Sequence, residues 1–211
     1  MTKSQRIRMS ASGVMITALS VGAFKFSAFG VDPFQSFMAG VDACFSLNFG
    51  TLYMIVNAML LLFSLLFQRR YIGIATFINL FFLGYVVEFS QNALTFLFPA
   101  AALPVRVVFF VLGFVFLCLG SSLYMTADLG VSTYDAVALI LSEVWKVGRF
   151  SIVRITTDAA CILLGVLLFC LSGGTLSGIS AFVGIGTILT AFCMGPLVAF
   201  FNRMISRKLQ S

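Results

Sequence analysis

A chain of 211 residues that is 61% hydrophobic and 9% charged, with a mean hydropathy of +1.10, cannot present its surface to water, since a soluble domain carries roughly 25% charged residues. It reads as one membrane domain over residues 1–211, an all-α polytopic protein of about six transmembrane helices. The net charge of +6 calls for no nucleic acid, because the placement of the basic residues along the chain accounts for it.

In chain order, apolar runs long enough to cross roughly 30 Å of hydrocarbon fall at residues 9–29, 49–67, 71–96, 105–127, 151–171 and 177–202. The first follows a basic segment, as a signal peptide would. Its length and its membership of a repeat make it a retained span. With the N-terminus in the cytoplasm, Lys3, Arg6, Arg8, Arg69, Arg70, Lys146, Arg149, Arg203, Arg207 and Lys208 share one side, and only Arg106 falls in an outer loop. Lys25 and Arg154 lie within spans. This positive-inside bias predicts that both termini are cytoplasmic.

The chain repeats itself. Gly30-Val31-Asp32-Pro33-Phe34-Gln35 aligns with Gly130-Val131-Ser132-Thr133-Tyr134-Asp135 at an offset of 100. Gly73-Ile74-Ala75-Thr76 aligns with Gly184-Ile185-Gly186-Thr187 at an offset of 111, the second copy holding 11 extra residues around a glycine-rich loop at 172–182. The expected architecture is therefore two inverted three-helix repeats, residues 9–96 and 105–202, each with a short amphipathic or re-entrant helix after its first span. Three crossings per copy force opposite orientations, as in many secondary transporters; a purely structural duplication is the alternative.

The short helices carry the most specific local chemistry. Asp32 before Pro33 is an N-cap followed by a favoured first helical residue, with Gln35 at the third position. Ser132 and Asp135 have capping-box spacing. If re-entrant, these helices present free amides and a positive dipole end toward the core, suited to an anionic group; if interfacial, they are struts on the membrane surface.

Ionisable residues inside spans are costly and mark candidate sites. Arg154 and Asp158, four apart in the fifth span, share a face and can pair, either as a substrate or ion contact or as a self-neutralised packing lock. Glu88 and Lys25 lie toward the outer ends of their spans and either pair or, for Lys25, snorkel. Asn57 and Asn79 are buried amides suited to interhelical hydrogen bonds, and Asn57 lies one residue from the repeat equivalent of Asp158. The candidate substrate-binding residues are thus Asp32, Gln35, Ser132, Asp135, Arg154, Asp158, Asn57 and Glu88. Without histidine, proton coupling would run through carboxylates. Cys44, Cys118, Cys161, Cys170 and Cys193 form no CxxC pair and read as packing residues, so no metal or cofactor is expected. No HExxH, no GxSxG and no histidine base argue against an enzyme.

The set GVDPFQ, GIAT, LGVSTYD, RITTD and GIGT followed by MGP resembles the YczE family of bacterial membrane proteins over nearly the whole chain. Copies in that family tend to carry a proline and an acid where Thr133 and Gln35 stand here, and a glutamate where Asp158 stands. The resemblance implies a fold, not an activity, and a multi-pass location in the bacterial inner membrane. The expected function is a small-molecule permease or exporter with alternating access. The alternatives are a substrate-binding subunit of a modular vitamin importer, marked by an ATPase partner, and a non-transporting accessory or scaffold protein. The partners expected are the lipid bilayer and a small-molecule substrate of unknown identity, with a homo-oligomer allowed.

Overall fold

The computed structural model describes residues 2–47, 49–180 and 182–210, and every regular element among them is helical. In chain order these are α1 (Lys3–Ser27), α2 (Pro33–Cys44), α3 (Phe49–Phe67), α4 (Ile74–Leu97), α5 (Leu103–Ala127), α6 (Thr133–Leu139), α7 (Phe150–Leu171), α8 (Leu176–Ile179) and α9 (Ile185–Gln210). A 3-10 turn at Arg69–Tyr71 precedes α4, and a π turn at Ile140–Val144 extends α6. Five helices are long and apolar enough to cross a membrane: α1, α4, α5, α7 and the Ile185–Ser206 part of α9. The expected second span is the shorter apolar helix α3, whose run covers Thr51–Phe67.

Two boundaries differ from the hydropathy reading. Helix α1 starts at Lys3 rather than residue 9, because Thr2 and Gln5 form a capping box that nucleates it ahead of the apolar run. The expected span 177–202 is broken: α8 is a single turn, and α9 begins only at Ile185. The start of α9 is fixed by tertiary contacts, with the Gly186 amide donating to Phe29 O at 2.8 Å. Apolarity alone carries no signal for that. The side chains of Arg207 and Lys208 lie outside the described residues.

Polarity is distributed inside out relative to a soluble protein. Phe81, Phe89, Phe96, Leu163 and Leu171 face outward, while Ser20, Ser64, Thr76, Thr187 and Thr190 are buried. Burial of these hydroxyls is tolerable because several donate within their own helix, as Ser20 does to Ile16 O (2.6 Å) and Thr190 to Gly186 O (3.0 Å). Small residues then let helices touch. A side chain at Gly13 would overlap the Gly120 backbone, and one at Gly113 would press on Ser20 O, so α1 and α5 pack closely and antiparallel. Gly40 of α2 and Gly165 of α7 meet backbone to backbone, which keeps α2 within the bundle.

Several hydrogen bonds at the joints between the two halves come in matched pairs. Ala75 N donates to Leu129 O (3.1 Å), and Gly186 N to Phe29 O (2.8 Å). Val131 N donates to Tyr71 O (2.9 Å), and Val31 N to Phe182 O (3.4 Å). Thr76 and Thr187 each accept at Oγ1, from Gly73 N and Gly184 N, both at 3.2 Å. Arg6 Nε donates to Ala127 O (2.7 Å), and Arg106 Nε to Ser27 O (2.8 Å). Each pair relates by the offsets of 100 and 111 read from the sequence. At the centre of both joints, Gly30 and Gly130 have φ of +111° and +99°, a region that side chains rarely adopt.

A methyl group at Gly30 would lie 2.8 Å from Gly184 N, and one at Gly130 would lie 2.7 Å from Thr76 Oγ1. We therefore expect Gly30→Ala and Gly130→Ala each to destabilise the protein by at least about 1–2 kcal/mol, the cost of the left-handed backbone alone. Thermal unfolding of the purified variants in detergent checks this. Unchanged melting of either would contradict the joint described.

Candidate functional site

The bundle buries one guanidinium and two carboxylates against each other. Arg154, on the second turn of α7, pairs through Nη1 with Asp135 Oδ1 of α6 and through Nε with Asp158 Oδ2 at 3.2 Å, one turn further along α7. Their side chains are only 7%, 4% and 0% exposed, so each charge depends on the others for neutralisation. The remaining lone pairs are also used. Tyr134 donates to Asp158 Oδ1 at 2.6 Å, while Ser132 (2.6 Å) and Tyr124 donate to Asp135 Oδ2. The Arg154 guanidinium lies over the Tyr134 ring at 4.4 Å, a cation–π contact, and its Nη2 faces Met194 Sδ at 3.7 Å.

Local sequence explains how α6 delivers these groups. Ser132 caps the helix by accepting from Asp135 N at 3.1 Å. The expected capping box is only half made, because Arg154 and Tyr124 engage the Asp135 carboxylate in place of the backbone amide of Ser132. On α2, Asp32 caps by accepting from Gln35 N at 3.1 Å, with Pro33 at the first helical position. A carboxylate occupies this helix start, which removes the case for an anion there. Among the described residues Asp32 has no cationic side chain within 4.0 Å, and it is half-buried. Phe34 stacks on Tyr134, its repeat counterpart, at 5.1 Å and 25°.

Between these elements lies a central cavity of about 90 Å³. It gathers six of the eight sequence candidates: Asp32, Gln35, Asn57, Ser132, Asp135 and Arg154. Asn57 ties α3 to α6 by accepting from Thr133 Oγ1 at 2.6 Å, and its amide donates to Tyr53 O at 2.8 Å. Asn79 lines the same cavity. Asp158 stands behind it, screened by Tyr134 and Arg154. Glu88 is elsewhere: with Lys25 it lines an open groove of about 650 Å³ between α3 and α4, near the C-terminal end of α1. The two are not in ion-pair contact among the described residues. Gln35, Tyr53 and Leu83 line both spaces and so separate groove from cavity.

Toward the opposite end of α1, a vestibule of about 340 Å³ is lined by Arg70, Tyr71, Asp128, Glu143 and Asn202. There Tyr71 donates to Glu143 Oε2 at 2.6 Å, and burial together with that bond pushes its hydroxyl above the ordinary tyrosine range. Sequence reasoning missed Tyr124, Tyr134, Thr133 and Thr17 as site residues. A tyrosine ring patterns with the apolar residues of a span, although its hydroxyl there needs a partner as much as a carboxylate does.

Removing single members ranks the triad. Arg154→Met strands two buried carboxylates and should cost about 3–5 kcal/mol. Asp158→Asn leaves Arg154 paired with Asp135 and should cost less, about 1–3 kcal/mol, while Tyr134→Phe deletes one bond at about 1 kcal/mol. Thermal or denaturant unfolding gives the order, and a reversed order would contradict the arrangement.

Comparison with known proteins adds a lineage. A 200-residue alignment gives 26% identity to an uncharacterized protein of Haemophilus influenzae, covering 92% of this chain and 84% of the other. The uncharacterized membrane protein YczE of Bacillus subtilis is 26% identical over 191 residues, 90% of this chain and 81% of its own. The uncharacterized protein YyaS of Bacillus subtilis is 22% identical over 199 residues, 94% and 93% of the two chains. No solved structure matches the chain. With apolar helices of crossing length and a membrane protein among its relatives, this is a membrane protein, and because the model of the family of unknown function DUF6198 matches residues 4–203, the chain belongs to that family.

Proposed function

We propose that this chain is a small-molecule permease or exporter of the bacterial inner membrane, and not an enzyme, working by alternating access between two inverted three-helix repeats. The proposed arrangement has six crossings with both termini cytoplasmic and with α2 and α6 as re-entrant helices whose starts meet at the central cavity. The exchanged hydrogen bonds, the antiparallel packing of α1 on α5 and the stacking of Phe34 on its counterpart Tyr134 support the inverted repeat. Arg6 and Arg70 gathered on Asp128, at 3.0 and 3.6 Å, support one basic, cytoplasmic end.

The observation that carries the reading is a difference in packing between the two halves. Gly195 of α9 packs against α7, where a side chain would lie 3.0 Å from Ser151 O and 3.2 Å from Arg154 Cβ. At its repeat counterpart Gly84 of α4 a side chain would meet nothing within 4 Å among the described residues, and Gly84 lines the open groove together with Thr51 and Met54, the counterparts of Ser151 and Arg154. On this reading one gate is closed and the matching gate open, as a two-state carrier with access on one side would have them. Exchanging the halves' conformations would seat α3 on Gly84 and release α7 from Gly195. Spaces at three depths of the bundle favour a carrier over a scaffold.

In a cysteine-free background in native membranes, Met54→Cys combined with Gly84→Cys should form a disulfide under mild oxidation, since the exchanged state brings these positions together. A pair that never cross-links, in a protein that remains folded, would sink the alternating-access reading.

A further inference from the structure

The charge balance at the central cavity narrows what it takes. Asp32, Asp135 and Arg154 line it, Asp158 stands behind it, and Arg154 is already engaged by Asp135 and Asp158. Lys25 and Glu88 both line the adjoining groove rather than the cavity. Asp32 is left facing the cavity without a cationic partner within 4.0 Å among the described residues. A surplus negative charge within an apolar bundle is neutralised either by a proton or by a cation that enters.

A second observation points to a ligand independently of the acids. Thr17, near the middle of α1 and only 6% exposed, lines the cavity with its hydroxyl beside Gly120 of α5, and among the described residues that hydroxyl has no hydrogen-bond partner. Buried hydroxyls are almost always bonded. The walls add the rings of Phe34, Tyr53, Tyr124 and Tyr134, and the Tyr134 face already holds one cation, Arg154. Aromatic faces attract organic cations and offer nothing to carboxylates. The cavity volume of about 90 Å³ accommodates a group of a few heavy atoms.

We propose that the central cavity binds a small organic ammonium group, with Asp32 as its counter-ion, Thr17 as a hydrogen-bond acceptor and the aromatic rings as walls. This rests on the permease reading above and names the substrate class at that site. Asp32 holds the α2 cap as well as the charge. Asparagine caps equally well, so Asp32→Asn removes the charge and keeps the helix start.

The test is thermal unfolding of the full chain in detergent with chloride salts of methylammonium, ethylammonium and tetramethylammonium, against sodium chloride and sodium butyrate at equal ionic strength. At least one ammonium salt should raise the melting temperature saturably, and butyrate should match sodium chloride. Asp32→Asn should melt like the parent without ligand and lose the ammonium response at least tenfold in apparent affinity. Asp32→Ser, which also caps, serves if the asparagine variant folds poorly. Thr17→Val should weaken the response severalfold. Equal stabilisation by butyrate, no response to any ammonium salt, or an undiminished response in Asp32→Asn would each overturn the proposal. The disulfide between positions 54 and 84 needs no ligand, so it separates the two claims. If it forms without any ammonium response, the carrier stands and the cation falls. The converse result leaves a binding protein that does not alternate.

Discussion

Everything in the centre of this bundle depends on neutralising Arg154. A charge in the hydrocarbon region costs about 2.5–3.5 kcal/mol by insertion scales and more by other accounts, so the guanidinium persists only where its partners are fixed. Asp158 is supplied by α7 itself, but Asp135 comes from α6. The ion pair therefore dictates where α6 starts, how its cap is spent and which way Tyr134 points. From Tyr134 the constraint passes to Phe34 on α2 by ring stacking, and from the neighbouring Thr133 to Asn57 on α3 by a hydrogen bond. One buried charge thereby positions three helices around the cavity.

The outer frame answers to a different constraint, the need to satisfy every backbone group where there is no water. The two glycine joints meet it reciprocally, each lending its amides and carbonyls to the opposite half. On the inverted-repeat reading proposed above, such reciprocal joints would make two conformations of equal design available to one sequence. On that reading, the contrast between Gly84 and Gly195 reflects which of the two conformations is seen. The joints at Gly30 and Gly130 are nearly identical, whereas α3 and α7 pack differently against their neighbours.

Much of this was legible in the sequence because it rests on local chemistry repeated at fixed offsets. Asp32-Pro33 and Ser132 announced two helix starts, and the pairing of Arg154 with Asp158 followed from four-residue spacing. What failed to show was non-local. The Asp135 carboxylate was expected to cap its own helix, and only the fold brings it to Arg154, 19 residues away. The start of α9 is set by Phe29, more than a hundred residues earlier, so hydropathy placed it too soon. Glu88 was grouped with the site on rarity of charge alone, whereas the α4 face that bears it opens on the groove. Tyr134 and Tyr124 were hidden by their rings, which pattern as apolar, while their hydroxyls complete the ion cluster.

Exchange of the two gates is the central claim, and distance measurement between helix pairs reads it directly. Spin labels on the outward faces of α3 and α4, and separately of α7 and α9, in protein held in lipid nanodiscs, report both gates by pulsed dipolar spectroscopy. The account predicts two distance populations for each pair, anticorrelated, so that conditions shortening the α3 to α4 distance lengthen the α7 to α9 distance. A single unchanging distance for both pairs under all conditions would contradict it and leave a static bundle.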